Sequence, residues 1–192
     1  MTKTSKMLIA GIGGQGVVYL TNLVTEAALA ADIPVASSEI HGLAQRRGSV
    51  VSGVTFGENT YGYIEEAGAE FLIGLEPLEA IRCALLLNVE SKVVIDNNPI
   101  YPHSVTAGKT IYPNVDSFID FLKMNIKQVV FNQDFDRSLN PILRNIYILG
   151  RATTLEDFPL SADNIEAAIR TTAGKKYFDE SLEAFRLGKN TY

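Results

Sequence analysis

A single cysteine, Cys83, among 192 residues leaves this chain unable to hold a cysteine-ligated iron–sulfur cluster, a zinc site of several thiolates or an internal disulfide. Its place inside the apolar stretch 81–87 predicts a buried structural thiol. Histidine is nearly as scarce. His41 and His103 lie far apart with no HxxxH or similar spacing, so no metal site is expected. The 17 basic residues stand against 22 acidic ones, a formal charge of −5, and form no block able to track a phosphodiester backbone; nucleic acid is not an expected partner. No apolar stretch approaches the roughly 20 residues that span a bilayer, which argues against a membrane partner. Residues 7–12 are also too short for the apolar core of a signal peptide, so the expected location is cytoplasmic. What remains is a chain with 46% apolar residues, enough for one domain with a substantial core.

Fifteen glycines compensate for these scarcities, and four of them fall in the motif GIGGQG at 11–16. An apolar run precedes it and an amphipathic segment follows, so the motif reads as a tight turn from a buried strand into a helix. Gly11, Gly13 and Gly16 match the dinucleotide fingerprint in spacing: the first for the turn, the second for approach to a phosphate, the third for close packing. A nicotinamide or flavin dinucleotide also needs an acidic residue at the end of the second strand. Glu39 is the only candidate, and a basic loop follows it where a helix should begin. Turn geometry alone accounts for the glycines equally well.

Segment 17–31 carries Leu20, Leu23, Val24, Ala27, Ala28 and Ala31 on one helical face. Residues 34–38 (PVASS) follow as a second strand, placed as a parallel neighbour of the first. The β-branched segment 49–56 and residues 61–64, separated by GEN at 57–59, predict an antiparallel hairpin. Residues 71–74 (FLIG) form a short strand, and Pro77 opens a helix with Leu78, Ile81 and Leu85 on its face. Strands at 93–96 and 128–131 flank a helix capped by Asn114 that bears Val115, Phe118, Ile119 and Leu122. The rest is helical in pattern: 142–149, then 162–172 capped by Ser161, then a last helix with Phe178, Leu182 and Phe185 on its core face and Gly188 closing it. This order predicts an α/β chain: a three-layer α/β/α, Rossmann-like domain over 1–192 with a mixed, mostly parallel sheet, and a mainly helical extension from about residue 141 packed on it.

In open α/β sheets ligands and partners use the crevice outside the carboxyl ends of the strands. That rule gathers Gln15, Ser38, Glu39, His41, Gln45, Arg46, Arg47, Glu76, Asp96 and Asn97 on one edge. Arg46 and Arg47 offer forked donors for phosphate or carboxylate, or else make solvated interface salt bridges. Glu39 and His41 would suit a base and its orienting partner, but no nucleophile stands beside them.

The segments GIGGQG at 11–16, EIHGLAQRRGSV at 39–50, LIGLEPLEAIR at 72–82 and VVIDNNPIYPHSV at 93–105 resemble the gamma-type domain of 2-oxoacid:ferredoxin oxidoreductases, and above all the small beta subunits of the indolepyruvate enzymes. NIYILG at 145–150 and ESLEAFRLG at 180–188 extend the resemblance over nearly the whole chain; residues 126–145 match poorly. The resemblance implies a subunit of a complex that oxidatively decarboxylates a 2-oxoacid to an acyl coenzyme A and passes electrons to ferredoxin. This chain would have no activity alone and no catalytic or metal-ligating residue of its own. Thiamine diphosphate, magnesium and iron–sulfur clusters would reside in a larger partner subunit, with coenzyme A at the interface. The alternative is a free-standing nucleotide or coenzyme A binding module. On either reading the candidate cofactor-facing residues are Gly11, Gly13, Gly14, Gln15, Gly16, Gln45, Arg46, Arg47, Gly48 and Ser49. Arg47 stands where the family commonly has a second glycine, and Ser181 where it has asparagine.

Overall fold

The computed structural model describes residues 4–41, 48–58, 60–136, 139–174 and 177–191, with His41 described by its backbone. Its first unit is the expected one: strand β1 (Ser5–Ile12), the glycine turn, and helix α1 (Val17–Ala30). Alternation along β1 sends Met7 and Ile9 into one core and Leu8 and Ala10 into another, so both faces of this strand are covered.

Then come β2 (Val35–His41), β3 (Ser49–Phe56), β4 (Ala69–Gly74), helix α2 (Pro77–Arg82) and β5 (Leu87–Asp96). The short helix α3 (His103–Thr106), α4 (Val115–Asn125) and β6 (Gln128–Asn132) follow, and the chain ends in α5 (Arg144–Ala152), α6 (Ala162–Thr172) and α7 (Phe178–Asn190). The strands form one sheet in the order β2-β3-β1-β4-β5-β6. β1, β4, β5 and β6 pair in parallel, while β3 is antiparallel to both β1 and β2. The fold is therefore α/β with a mixed, mostly parallel sheet. Helices α1, α5, α6 and α7 share a core with Met7, Ile9, Val54, Phe56, Phe71 and Ile73; α2 and α4 share the other with Leu8, Leu72, Val93 and Ile95.

Two expectations about the sheet are corrected. β2 runs in the same direction as β1 but is not its neighbour, because β3 lies between them. Residues 61–64 make no strand, and the expected hairpin is absent. β1 and β2 already satisfy both edges of β3, and the segment instead crosses the sheet face: the Gly62 N–H donates to Thr55 Oγ1 (3.0 Å), Ser38 Oγ donates to the Gly62 carbonyl (2.8 Å), and Ile64 is buried. Gly62 has φ +71 and lies against the Ser37–Ser38 backbone, so a side chain there would meet both strain and overlap.

Helix ends follow their local chemistry. Pro77 opens α2, Asn114 Oδ1 accepts from the Ser117 N–H (3.0 Å), and Ser161 with Asn164 forms a reciprocal capping box on α6. α2 stops at Arg82, so Leu85 does not share its face and is exposed. Gly188 does not close the last helix, which continues to Asn190. It lies where α7 crosses α5, and a methyl there would overlap the Tyr147 carbonyl; Gly150 makes the reciprocal approach to Phe185. Cys83 is buried as expected.

Candidate functional site

Parallel strands bring their carboxyl ends to one edge, and β3, running the other way, begins there. The glycine turn and the start of β3 are thereby fastened together: Ile12 pairs with Ser49, and the Gly13 N–H donates to the Gly48 carbonyl (2.9 Å). The turn that carries Gly11, Gly13, Gly14, Gln15 and Gly16 is thus joined to Gly48 and Ser49 at this edge, while Gln45, Arg46 and Arg47 lie outside the described residues.

Positive φ falls on Gly14 (+104) and Gly16 (+82), not on Gly13. Gly11 is hemmed in by Gln15, Val17 and Leu75 at 3.0–3.2 Å from a would-be Cβ. At Gly16 a Cβ would strike Nδ2 of Asn145, so the third glycine admits α5, more than it packs helix on strand. Gly16 is also the N-cap of α1, which has no side-chain cap.

Of the polar residues gathered on this edge, Gln15, Ser38, Glu76 and Asp96 are committed to the scaffold. Gln15 accepts from the Ile12 N–H (2.8 Å) and donates to the Leu75 carbonyl (2.9 Å), tying the turn to the end of β4. Glu76 is fully buried and accepts from the Glu79 N–H (2.9 Å), the Ile100 N–H (3.1 Å) and the Tyr112 hydroxyl. Burial, and then the Glu76 carboxylate, push the Tyr112 phenol up from its ordinary range. Asp96 is buried against Arg144, with Nε to Oδ2 at 2.5 Å and Nη2 to Oδ1 at 2.9 Å, and also accepts from Asn132 Nδ2 (2.9 Å). Ser38 is spent on Gly62; Glu39 lies within β2, which runs past the expected end at residue 38, and its side chain is exposed.

Three cavities open around the turn. One of about 270 Å³ lies between α1, α5 and the start of α7, lined by Gly14, Gln15, Gly16, Tyr19, Asn145 and Ser181 among others. A smaller one of about 150 Å³ adjoins it and adds Asp96, Asn98 and Arg144. On the opposite face of the sheet, Ile12, Gly48, Ser49, Glu79, Arg82 and His103 help to line about 540 Å³. There Ser49 Oγ donates to Glu79 Oε2 (2.5 Å) and Arg82 Nη1 donates to Glu79 Oε1 (2.8 Å), which leaves a buried carboxylate fully engaged. Sequence reasoning missed Arg144, Asn145 and Glu79, whose roles depend on α5 and α2 folding back to this edge. Arg144 stands in the segment that matches the family poorly and Asn145 at its boundary with NIYILG; Asn140, which caps the short turn before α5, is the local signal of a helix start nearby. Among the described residues, no group of three or more His, Cys, Asp and Glu is placed to hold a metal ion.

Six strands in this order, with the glycine turn at the edge where β1 ends, define a layered α/β fold. The gamma subunit of the keto/oxoacid ferredoxin oxidoreductase from Geobacter sulfurreducens superposes with a TM-score of 0.69 at 18% identity, covering 96% of this chain and 95% of that one. The 2-oxoglutarate:ferredoxin oxidoreductase from Magnetococcus marinus matches with the same TM-score at 16% identity; this chain covers 31% of that longer one. The pyruvate ferredoxin/flavodoxin oxidoreductase family model matches residues 6–191, and this chain belongs to that family. Two proteins named indolepyruvate oxidoreductase subunit IorB are similar to it over almost their full length. The one from Archaeoglobus fulgidus is 33% identical over 96% of this chain and 93% of its own, and the one from Pyrococcus horikoshii 34% over 97% and 95%.

Proposed function

We propose that this chain is the small, noncatalytic subunit of a 2-oxoacid:ferredoxin oxidoreductase that converts an aryl pyruvate such as indolepyruvate to its acyl coenzyme A. The observation that carries this reading is the identity with the IorB subunits, which spans more than nine-tenths of both chains. The chemistry of the crevice supports a shaping role. Its buried carboxylates Glu76, Glu79 and Asp96 are each held by two or more donors within the fold. The chain works in a hetero-oligomer, beside a larger subunit that carries thiamine diphosphate, magnesium and iron–sulfur clusters. Those groups supply the decarboxylation and the electron transfer to ferredoxin; this chain completes the walls of the assembled site.

Within that assembly the glycine turn is the natural contact for an anionic coenzyme. The uncapped start of α1 offers backbone N–H groups and the positive end of a helix dipole, with Asn145 and the Arg144 guanidinium beside it. The phosphates of coenzyme A suit that donor set, and Gln45, Arg46, Arg47, Gly48 and Ser49 are the further residues proposed to contact it. Co-expression with the larger subunit tests the proposal: the two chains should copurify and reduce ferredoxin with indolepyruvate and coenzyme A, and neither chain should do so alone. Arg46→Ala should lower activity or assembly without unfolding this chain. The free-standing module predicts the opposite, micromolar coenzyme A binding by the isolated chain with no copurifying partner; calorimetry distinguishes the two.

A further inference from the structure

The edge strand β2 is built to pair with another strand. Among the described residues it pairs only with β3, in an unbroken register from Val35 opposite Phe56 to His41 opposite Val50. The Gly57 N–H donates to the Pro34 carbonyl (2.8 Å) and Thr55 Oγ1 donates to the Ala36 carbonyl (3.4 Å), so the even-numbered residues of β2 face β3. The N–H and C=O groups of Val35, Ser37, Glu39 and His41 therefore point outward. Soluble proteins usually blunt such an edge with a proline, a lysine, a bulge or a charge; β2 has no proline, lysine or bulge, and its one acidic residue, Glu39, is exposed on the face that carries Val35. Large apolar groups gather beside it. Ile40 is 72% exposed, and Gly62, seated on the Ser37–Ser38 backbone, holds Tyr61 and Tyr63 next to the strand at 68% and 62% exposure.

We propose that this edge joins a second copy of the chain, β2 against β2 in antiparallel, about a twofold axis at Ser38. This register brings the four outward-facing residues of each copy fully into line: Val35 opposite His41 and Ser37 opposite Glu39, about eight hydrogen bonds in all. On the side-chain faces it sets the small Ala36 against the exposed Ile40 of the other copy and Ser38 against itself; no like charges are directly opposite, and the two exposed Glu39 side chains lie diagonally across the axis. Because Gly62 is bonded to Ser38, the axis also draws the Tyr61 and Tyr63 pairs of both copies to the centre, which gives a self-complementary patch of the kind an isologous interface needs. The inference does not depend on which substrate or partner the complex uses.

Cross-linking reads the register directly, since the native thiol Cys83 is buried. At a non-hydrogen-bonded pair the Cα atoms lie about 4.5 Å apart, within disulfide reach. Ser38→Cys should therefore form a covalent dimer under mild oxidation, whereas Ser37→Cys, facing Glu39, should not. Light scattering on the full chain, and on the complex it is purified in, should show two copies, with the free chain at twice 21.0 kDa. Ser37→Pro removes an outward N–H without touching the β3 ladder, and should return the free chain to one copy with its thermal unfolding little changed. A monomeric wild type, an intact dimer in Ser37→Pro, or equal cross-linking at positions 37 and 38 would overturn the proposal. So would a Ser37→Pro variant that instead sheds the larger subunit, because the edge would then belong to that chain.

Discussion

The two faces of the sheet are held by different physics. On one face α1, α5, α6 and α7 bury a continuous apolar core, and α5 and α7 cross so closely that Gly150 and Gly188 each lie against backbone of the other helix. On the other face only α2 and α4 share the core among the described helices and the cover is partly loop: Gly62 is held by Thr55 and Ser38, and Ile100 and Tyr112 of the 97–112 segment by the buried carboxylate Glu76. Helices supply their own backbone hydrogen bonds and need only an apolar stripe to dock. Loops need side-chain acceptors for their N–H groups, so the thinner face depends on charge where the thicker one depends on area.

The largest effect should come from breaking the helical face at its crossing. Gly188→Ala or Gly150→Ala forces a methyl into a carbonyl of the partner helix, and urea titration should show a loss of about 3 kcal/mol or more. A loss under about 1 kcal/mol would mean that the helices can move apart. Glu76→Ala is the corresponding insult to the loop face. It leaves two N–H groups and the Tyr112 hydroxyl without their acceptor, should cost about 2–3 kcal/mol, and should open the 97–112 loop to protease before the chain unfolds globally. Asp96→Asn, which removes the charge partner of the largely buried Arg144 at the crevice, should cost about 2 kcal/mol. Ser161→Ala deletes one half of a capping box on the helical face, and about 1 kcal/mol is expected.

The smallest effect is invisible near neutral pH. Burial, and then the charge of Glu79, push the Cys83 thiol up to about 12. The unfolded thiol ionises near 9 while the folded one keeps its proton, so stability should decline as pH rises from there toward 12. A thiol reagent at pH 8 should label the native chain far more slowly than the urea-unfolded chain. Equal rates would show that the thinner face opens readily.

Local patterning was most legible where an element satisfies itself. The caps at Asn114 and Ser161, Pro77 at the start of α2 and the apolar face of α1 all read correctly, because each depends on residues within a few positions of one another. The 57–64 segment misled because strand propensity and a GEN turn describe a hairpin equally well when nothing says that β3 has both edges taken. Gly188 looked like a helix stop because a closing glycine and a crossing glycine leave the same mark in one dimension. At the crevice, the glycines, Gly48 and Ser49 were identifiable as neighbours from the rule that strand ends converge. That Gln15, Glu76 and Asp96 turn inward was not, since their partners lie 24 to 60 residues away in the sequence.

By itself the sequence determined the α/β class, the glycine turn, the positions of most helices and, through its motifs, the family. Those features rest on periodicity, capping and turn chemistry, which act over a few residues. Only the tertiary structure decided that β3 would wedge between β1 and β2, that the crevice carboxylates would serve the scaffold, and that β2 would be the edge strand of the described sheet. Strand order and side-chain pairing are settled by contacts between distant segments, where the competition for a strand edge or for a buried charge is a property of the whole fold.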